Sequence, residues 1–506
     1  NYKGGSDSEM NTEASTNSFS RRFHFDGGFD YQHEFGKHSI YSQLKWDYEF
    51  QDQYAVNTTI YRQNYSWWTH YGYNNRYFAD LALVESGSNR LAPGSKWALS
   101  PTLSAAWVIS REDFMKDVKW VNFLKLRASA GLINTDYLPN DSWTYYIQQY
   151  TISGTSYPFN SGYGSSFGMT SLTRLATENY THEKAYKYNV GLDATLFSGL
   201  DVTLEGYYQK RKDIWVEASG KYTDVIGIDA PYENAGVVNS WGFEASLDYN
   251  KKFGEVSFNI GGEFNLNRNK IKEQLEEPRV YDNLVQTGRS LNQIYGLKAI
   301  GFFKDQNDIT NSPTQTFSTV KPGDIKYEDV NGDGTIDAND KTAIGFSTAA
   351  PQLYYSIHLG AEWRGLGIDA MFQGVGRYSA VLNTKSMYWP LINNTTMSQY
   401  AYDNRWTADN MDAKFPRLSS VSNANNYQTN TVWLADRSFL KLRNLEVYYN
   451  LPEKLLKNTK IVNAAKIYLR GIDLFSLDHL AVSDPESYGA TNPLNRSVVA
   501  GLSVTF

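Results

Sequence analysis

An alternation of apolar and polar side chains, in runs of about ten residues, is the feature that most constrains the fold. Successive side chains of a β-strand point to opposite faces, so each run has one apolar face and one polar face. In the run 256–266, one face carries Val256, Phe258, Ile260, Phe264 and Leu266, and the other carries Ser257, Asn259, Glu263 and Asn265. The runs 186–196, 366–373 and 498–506 follow the same pattern. The pattern predicts an all-β chain built from long strands.

The composition indicates where such strands would lie. The chain of 506 residues has 38 Tyr, 25 Phe and 13 Trp, yet its mean hydropathy is −0.51. Tyr and Trp suit positions with one apolar and one wet side, such as the boundary between water and a lipid bilayer. The sequence has no apolar run of about 18 residues, so it predicts no transmembrane helix. It favours a transmembrane antiparallel up-and-down β-barrel with a polar, water-filled interior.

The net charge and the residue types present argue against several classes of function. The net charge of −6 and the pI near 5.8 argue against nucleic acid as a partner. The chain has no cysteine, so disulfide and thiolate chemistry are excluded. The sequence shows no Ser/His/Asp arrangement, phosphate-binding loop or close carboxylate pair, and we predict no enzyme activity.

The connections between strands fall into two classes, as in outer-membrane barrels, which have short periplasmic turns and long extracellular loops. The short ones are 35–37, 74–75, 198–199, 252–254 and 364–365, and the long ones are 135–183, 217–240, 269–350, 378–432 and 478–494. If the last strand, 495–506, runs toward the periplasm, tracing the alternation backwards gives about fifteen strands, the first near 19–34. Two strand-like runs, 143–150 and 290–303, must then lie in external loops rather than in the wall.

An odd number of strands cannot close an up-and-down barrel whose two ends lie at the periplasm. We therefore expect a missing part of the barrel to precede the polar segment 1–17. The chain begins at Asn1 without a visible signal peptide, and we interpret it as a processed or truncated product.

The twelve-residue run 329–340 has the spacing of a Ca²⁺-binding loop, with Gly334 at the tight turn. The predicted ligands are Asp329, Asn331, Asp333, the carbonyl of Thr335, Asp337 through a water, and Asp340. The alternative is a polar double turn without an ion. The flanking sequence is too short and too rich in Pro and Gly for the two helices of a calcium sensor, so we predict a structural ion. Strand parity places this loop outside the cell, where calcium is plentiful.

Several segments resemble the SusC/RagA-like TonB-dependent transporters of Bacteroidota outer membranes. The most specific is Pro-Gly-Asp-Ile-Lys-Tyr-Glu-Asp-Val-Asn-Gly-Asp-Gly-Thr-Ile-Asp at 322–337. The others are 96–97 with 101–115, 124–131, 405–407 with 413–418, 433–444, 451–456, and 471–475 with 484–506. Together they span nearly the whole chain.

The resemblance implies an integral protein of the outer membrane, with a barrel of about 22 strands closed by a plug. It implies that residues 1–506 are the C-terminal portion, about the last fifteen strands, and that 269–350 is an extracellular excursion carrying the calcium loop. The plug, the first strands and the contact with TonB are expected elsewhere. Members of the family import glycans or peptides together with a SusD-like surface lipoprotein. No individual substrate-binding residue carries over by motif.

Other candidate sites have ordinary structural alternatives. Trp143, Tyr145, Tyr146, Tyr388 and Trp389 could stack on sugars, or they could pack against the lipoprotein. His24, His33 and His38 cluster in the first hairpin, but alternation and the turn should scatter them. Lumenal charges such as Glu205, Glu244, Glu263 and Asp369 are expected to hydrate the interior. The terminal Phe506 resembles the signal that the outer-membrane assembly machinery recognises, and it also suits an aromatic at the periplasmic interface.

Two further interpretations compete with an energy-coupled importer. One is a passive pore or adhesin that displays calcium-stapled loops, and it predicts no upstream plug or TonB-binding segment. The other is a secreted β-rich glycan-binding module or hydrolase, which would be soluble without detergent.

Overall fold

The computed structural model describes residues 19–53, 59–139, 145–158, 166–178, 180–222, 225, 227–385, 387–389, 391, 395–456, 461–489 and 492–506. The strands of the first half are β1 (Ser20–Phe35), β2 (His38–Gln53), β3 (Ile60–Tyr73), β4 (Tyr77–Ser88), β5 (Trp97–Val108), β6 (Val121–Thr135), β7 (Gln149–Pro158), β8 (Ser166–Arg174), β9 (Glu183–Leu196), β10 (Leu200–Glu217), β11 (Tyr232–Phe253) and β12 (Val256–Glu273). Those of the second half are β13 (Ile294–Gly296), β14 (Ala299–Phe302), β15 (Thr314–Gln315), β16 (Ile325–Tyr327), β17 (Thr335–Ile336), β18 (Thr342–Gly345), β19 (Leu353–Trp363), β20 (Leu366–Gly376), β21 (Ser379–Val381), β22 (Leu434–Asp436), β23 (Phe439–Asn450), β24 (Ala464–Asp478) and β25 (Ser497–Thr505). Three short helices accompany them: α1 (Gln306–Thr310), α2 (Gln399–Asp403) and α3 (Glu453–Leu456).

Fifteen of these strands form one sheet, which we call the wall. Their order is β1-β2-β3-β4-β5-β6-β9-β10-β11-β12-β19-β20-β23-β24-β25. Neighbouring wall strands are antiparallel, as β1 with β2 and β24 with β25 illustrate. The all-β, up-and-down antiparallel fold class and the count of about fifteen strands are therefore confirmed. None of the helices in the described residues is long and apolar enough to cross a membrane.

The two faces of the wall differ in chemistry, as the alternation predicts. In β1, Phe23, Phe25 and Phe29 lie on one face, which we call the outer face, and Phe29 is 82 % exposed. Arg22 and Asp26 lie on the opposite, polar face. Large apolar side chains exposed along a whole face are unfavourable in water, so the outer face is suited to contact lipid.

The connections between wall strands lie at the two ends of the wall. Those after β1, β3, β9, β11 and β19 are turns of two or three residues at one end, the short-turn end. The turn between β19 and β20 shows why glycine is needed, because Gly365 has φ of +88° and a Cβ there would lie 2.6 Å from the Asn450 carbonyl oxygen. The opposite, long-loop end carries the connections 136–182, 218–231, 274–352, 377–438 and 479–496.

A belt of exposed aromatic residues follows the short-turn end. Tyr73 stacks on Tyr77 with ring centroids 6.4 Å apart, and Trp120 stacks on Phe197 at 5.6 Å. Phe35, Phe114, Phe253, Trp363 and Phe506 at this end are also exposed. Amphipathic rings in such a belt are typical of a membrane–water interface.

Three predicted loops have a boundary that is wrong by several residues, and in one of them, 378–432, the loop continues to 438 before β23 begins at Phe439. The loop predicted at 217–240 ends earlier, because β11 begins at Tyr232 and pairs there with Glu217. The excursion predicted at 269–350 starts later, because β12 continues to Glu273, and it ends at 352, since β19 begins at Leu353. At the start of β11 and at the end of β12, the strand continues beyond its alternating part, since barrel strands extend past the apolar band that lipid contacts. Apolar and polar residues do not alternate in these extensions, so the extensions give no alternation signal.

The two strand-like runs assigned to loops lie outside the wall, as expected. In the run 290–303, β13 pairs with β18 and β14 pairs with β16 in separate small sheets. The run 143–150 contains the start of β7, which pairs only with β8 in the described residues. Its residues 143 and 144, like the segment 1–17, lie outside the described residues.

Candidate functional site

Two connections at the long-loop end fold into one unit, which we call the platform (274–352 and 377–438). Its core joins Leu297, Ile325, Tyr327 and Ile336 from the first connection to Trp433 from the second, and all five are fully buried. Leu480, from the connection between β24 and β25, packs on the same core. The core is therefore shared between the connections rather than contained in one of them.

A buried polar network fixes the two parts of the platform to each other. Asp324 is completely buried, and its Oδ1 lies 2.8 Å from Arg417 Nε. Asn423 and Asn426 each donate from Nδ2 to the same Oδ1 at 2.9 Å. Tyr327 Oη donates to the carbonyl of Asn425 at 2.6 Å. Removing one partner of such a network leaves the other buried without compensation, so the network specifies a single arrangement.

The predicted calcium loop lies within this platform and has a well-defined conformation. Asp329 accepts from the backbone amides of Gly332 and Gly334, each at 2.8 Å. Asp333 accepts from the amide of Thr335 at 2.8 Å. Gly334 has φ of +81°, the tight-turn conformation expected at this position.

Asp340, which is completely buried, closes the second half of the predicted calcium loop. Asp340 accepts from the amides of Val330 and Asp337, both at 2.9 Å, and Asp337 caps the turn Ala338–Asp340 in return. Ile336 is buried in the core. The hydrogen bonds of the parallel pair β15–β17 use the carbonyls of Gly334 and Ile336, so alternation points the Thr335 carbonyl the other way.

The six predicted positions have the chemistry that Ca²⁺ requires, since all offer oxygen atoms. Across the part of the chain that the structure describes, however, no three His, Asp or Glu side chains are gathered as a metal site. The internal hydrogen bonds also suit the polar double turn without an ion. Asp329, Asn331, Asp333, Thr335, Asp337 and Asp340 stay a predicted ligand set.

The polar face of the wall carries a cavity of about 310 Å³ lined by three of the predicted lumenal carboxylates. Glu205 and Glu244 are directly opposite in register on β10 and β11. Arg127 neutralises Glu205 from the other side, and Asn265 donates to Glu244 at 2.6 Å. Asp369 lies apart from them, in a second cavity of about 360 Å³ that also includes Glu362 and Tyr448. These groups give the face a polar, partly acidic surface without a catalytic arrangement.

The aromatic residues considered for sugar stacking are mostly covered. Tyr145 is buried against Trp215 and Tyr180, and Tyr388 is buried in the core of the platform. Trp389 is partly buried against Tyr427 and Trp433. Tyr146 packs edge-on against Tyr180, and Trp143 lies outside the described residues. In this structure Tyr145 and Tyr388 stabilise loops and do not offer a free face to a ligand.

Of the three histidines of the first hairpin, His24 is separated from the others, as the alternation predicts, but His33 and His38 share the outer face and both stack on Phe35. His24 lies on the polar face with Nε2 3.5 Å from Asp26 Oδ1. His33 stacks between Tyr31 and Phe35 on the outer face. His38 Nδ1 lies 2.7 Å from the hydroxyl of Tyr71.

Sequence reasoning missed one ionic cluster at the long-loop end of the polar face. Lys441 of β23, with a side chain only 3 % exposed, contacts Asp484 at 2.8 Å and Glu486 at 2.9 Å. Arg443 also pairs with Glu486 and with Asp473. The segment containing Asp484 and Glu486 carries part of the family resemblance, but no spacing in the sequence connects it to β23.

Comparisons with known proteins add a family context. No family model matches the chain. TonB-dependent receptor P26 of Formosa agariphila is 26% identical over 466 residues, covering 86% of this chain and 45% of that protein. TonB-dependent receptor SusC of Bacteroides thetaiotaomicron is 25% identical over 483 residues, covering 92% of this chain and 46% of that protein. The chain thus spans less than half the length of these curated relatives.

Among solved structures, the RagAB peptide transporter matches with a TM-score of 0.73 and 18% identity. The match covers 97% of this chain and 55% of the matched chain, so nearly every described element has a counterpart in that fold. These findings confirm the resemblance stated from the motifs: the chain is a SusC/RagA-like relative of the TonB-dependent receptors and, like them, part of an integral β-barrel protein of the bacterial outer membrane.

Proposed function

We propose that the chain forms part of the wall and external face of an energy-coupled outer-membrane importer. The cargo would be nutrients too large for porins, either glycans or peptides. One observation carries the proposal: a fifteen-stranded wall with an apolar outer face and a polar inner face, in a chain related to SusC. A passive pore or adhesin would share the wall, so coupling to energy is what distinguishes the proposal.

The open edges of the wall support a larger barrel. In the described residues, β1 and β25 each pair on one side only. Unpaired strand edges are not tolerated in hydrocarbon, so both edges need partners in the membrane. The two strands run in the same direction because the wall has an odd number of antiparallel strands, fifteen, from one edge to the other. An odd number of further strands would therefore close the barrel, which fits the proposal that this chain is the C-terminal portion.

Partners follow from the same proposal. A plug would fill the interior, and TonB would contact a segment outside this chain. A SusD-like lipoprotein would cover the long-loop end, where the platform offers a preformed surface. RagAB is a peptide transporter, and this supports peptides as one of the two cargo classes.

The calcium loop would serve the external face in a structural role. Asp329, Asn331, Asp333, Thr335, Asp337 and Asp340 would hold the ion, and the ion would neutralise carboxylates that otherwise repel one another. Its position within the platform, next to the buried Ile336, links ion binding to the platform's core.

Native purification of the full-length protein from outer membranes tests the proposal. The expected result is extraction only with detergent, together with a surface lipoprotein and a bound oligosaccharide or peptide that mass spectrometry identifies. Recovery of the protein in the aqueous fraction without detergent would contradict the outer-membrane proposal and favour a secreted β-rich protein.

A further inference from the structure

The connection between β24 and β25 does not extend freely from the long-loop end. Its residues 479–489, which we call the strap, fold back against β23. Lys441 contacts the strap, and its register with Gln373 and Ser476 places it on the polar face of the wall. Gln373 is paired with Ser356 on the neighbouring strand, and both residues line the acidic cavity of the polar face. The strap therefore lies on the inner side of the barrel.

Ionic contacts hold the strap to this inner face. The ammonium of Lys441 contacts Asp484 and Glu486, and the guanidinium of Arg443 contacts Glu486 and Asp473. The Lys441 side chain is almost fully buried, so its charge depends on these carboxylates rather than on water. We call this group of five side chains the latch: Lys441, Arg443, Asp473, Asp484 and Glu486. Partial burial would raise the pKa of Asp484, but hydrogen bonds from Lys441 and the Glu486 amide hold it below its usual value.

The strap is tied to the platform as well. The hydroxyls of Ser483 and Tyr388 lie 3.1 Å apart. Arg437 donates from Nε to the carbonyl of Pro485 at 2.6 Å, and Tyr488 donates to the carbonyl of Val381. The strap thus touches both the external platform and the inner wall.

A cavity of about 400 Å³ lies between the strap and the wall. Lys441, Asp473 and Ser476 line it from the wall, and Leu480 and Asp484 line it from the strap. On the wall side of this cavity, the ion pairs of the latch hold the strap, while Leu480 and the hydrogen bonds of Ser483 and Pro485 join it to the platform. Breaking the latch would release the strap from the wall while it stays joined to the platform.

From these contacts we propose that the strap is a movable constriction of the passage, which closes over the inner wall while the latch is formed and opens when the latch is broken. This inference rests on the barrel part of the proposed function and not on cargo or energy. The strap couples movement of the platform to the width of the passage. Opening exposes Lys441 and the wall around Ser476.

This chain has no native cysteine, so a single introduced thiol can be followed on the purified full-length protein in detergent once any cysteine in the rest of that protein has been replaced by serine. Ser476→Cys places a thiol on the wall beneath the strap, and its rate of reaction with a bulky maleimide is measured. Val421→Cys on the exposed part of the platform serves as the reference for the reagent. Because the protein is purified, the result does not depend on transport, so failure here is distinct from failure of the importer proposal.

Two latch variants are compared with one matched control. Lys441→Met removes the buried cation, and the double variant Asp484→Asn with Glu486→Gln removes the carboxylates while keeping the wall unchanged. Lys466→Met removes another cation of the polar face, one that pairs with Glu446 and not with the strap. We expect both latch variants to react at least about tenfold faster at Ser476→Cys, because broken buried pairs are costly, and the control to react at the parent rate.

An unchanged rate in the double variant would overturn the proposal, and so would equal acceleration in Lys466→Met. Acceleration by Lys441→Met alone would show general loosening of the wall and would also overturn it. Because the double variant leaves every wall residue in place, it tests the latch even if Lys441→Met fails to assemble.

Discussion

At the scale of single residues, Glu276 shows how one carboxylate can hold a segment at the long-loop end of the wall. It accepts hydrogen bonds from the Thr287 amide at 2.9 Å, the Thr287 hydroxyl at 2.8 Å and Gln274 Nε2 at 3.0 Å. Partial burial would raise its pKa, but these bonds and those from the Gln286 amide lower the pKa to about 2. Because the pKa is lower in the folded protein than the ordinary 4.5, the stabilisation is complete above pH about 4.5 and is lost as the pH falls toward about 2.

We therefore expect acid to loosen the segment 274–287. Hydrogen–deuterium exchange, corrected for the intrinsic pH dependence of exchange, should show rising exchange there between pH about 4.5 and 2. Glu276→Gln should exchange faster at neutral pH and lose this pH dependence, whereas the control Glu277→Gln should behave as the parent. The same pH response in Glu276→Gln and in the parent would rule out this role.

The calcium loop makes a second prediction at the residue scale. Asp329→Ala or Asp333→Ala should disorder the platform and leave the wall intact, because the loop lies in the platform and contacts its core through Ile336. Proteolysis of intact cells, with and without a chelator, measures this as new cleavage within 274–352. Asp409→Ala, an exposed aspartate of the same platform, is the control. An identical cleavage pattern after chelation would count against the ion.

At the scale of elements, the two faces of each wall strand should respond differently to charge. Ile357 lies on the outer face near the middle of β19 and is exposed, and Ser356 lies on the polar face beside it. Arginine on the lipid face near the bilayer midplane costs about 2–4 kcal/mol. We expect Ile357→Arg to lower the stability of the barrel in lipid by that order, measured by denaturant unfolding, and Ser356→Arg to have a much smaller effect. Equal losses would show that the faces have been assigned wrongly.

The wall was predictable from the sequence because the side-chain pattern of each strand indicates its orientation. Alternation over ten residues predicted the strand count, and counting turns assigned the runs 143–150 and 290–303 to loops. The extensions of β11 and β12 were not predicted because apolar and polar residues do not alternate in them. The terminal Phe506 lies exposed at the short-turn end, where an interfacial aromatic was expected. Its role as an assembly signal stays a prediction.

The platform and the strap were not predictable because their contacts join distant parts of the chain. Asp324 meets Asn423 and Asn426 across about a hundred residues of sequence, and Lys441 meets Asp484 across a whole strand and a turn. Such pairs leave no periodic signal, since each partner is simply one polar residue in a polar segment. The burial of Tyr145 and Tyr388 was not predicted, for the same reason.

At the scale of the whole molecule, contacts connect the platform at the long-loop end through the strap to the polar face of the wall. The buried Asp324 network and the shared core make the platform a single body. The strap connects that body to β23 through the latch.

Energised uptake is the most direct test of the proposed importer. Cells with the full-length protein would be given labelled oligosaccharides or peptides of the class found by native purification, and entry into the periplasm would be measured with and without TonB. An importer predicts uptake that requires both the protein and TonB and that stops when the proton-motive force is collapsed. Uptake that requires the protein but continues at the same rate without TonB would contradict the proposal and identify a passive pore.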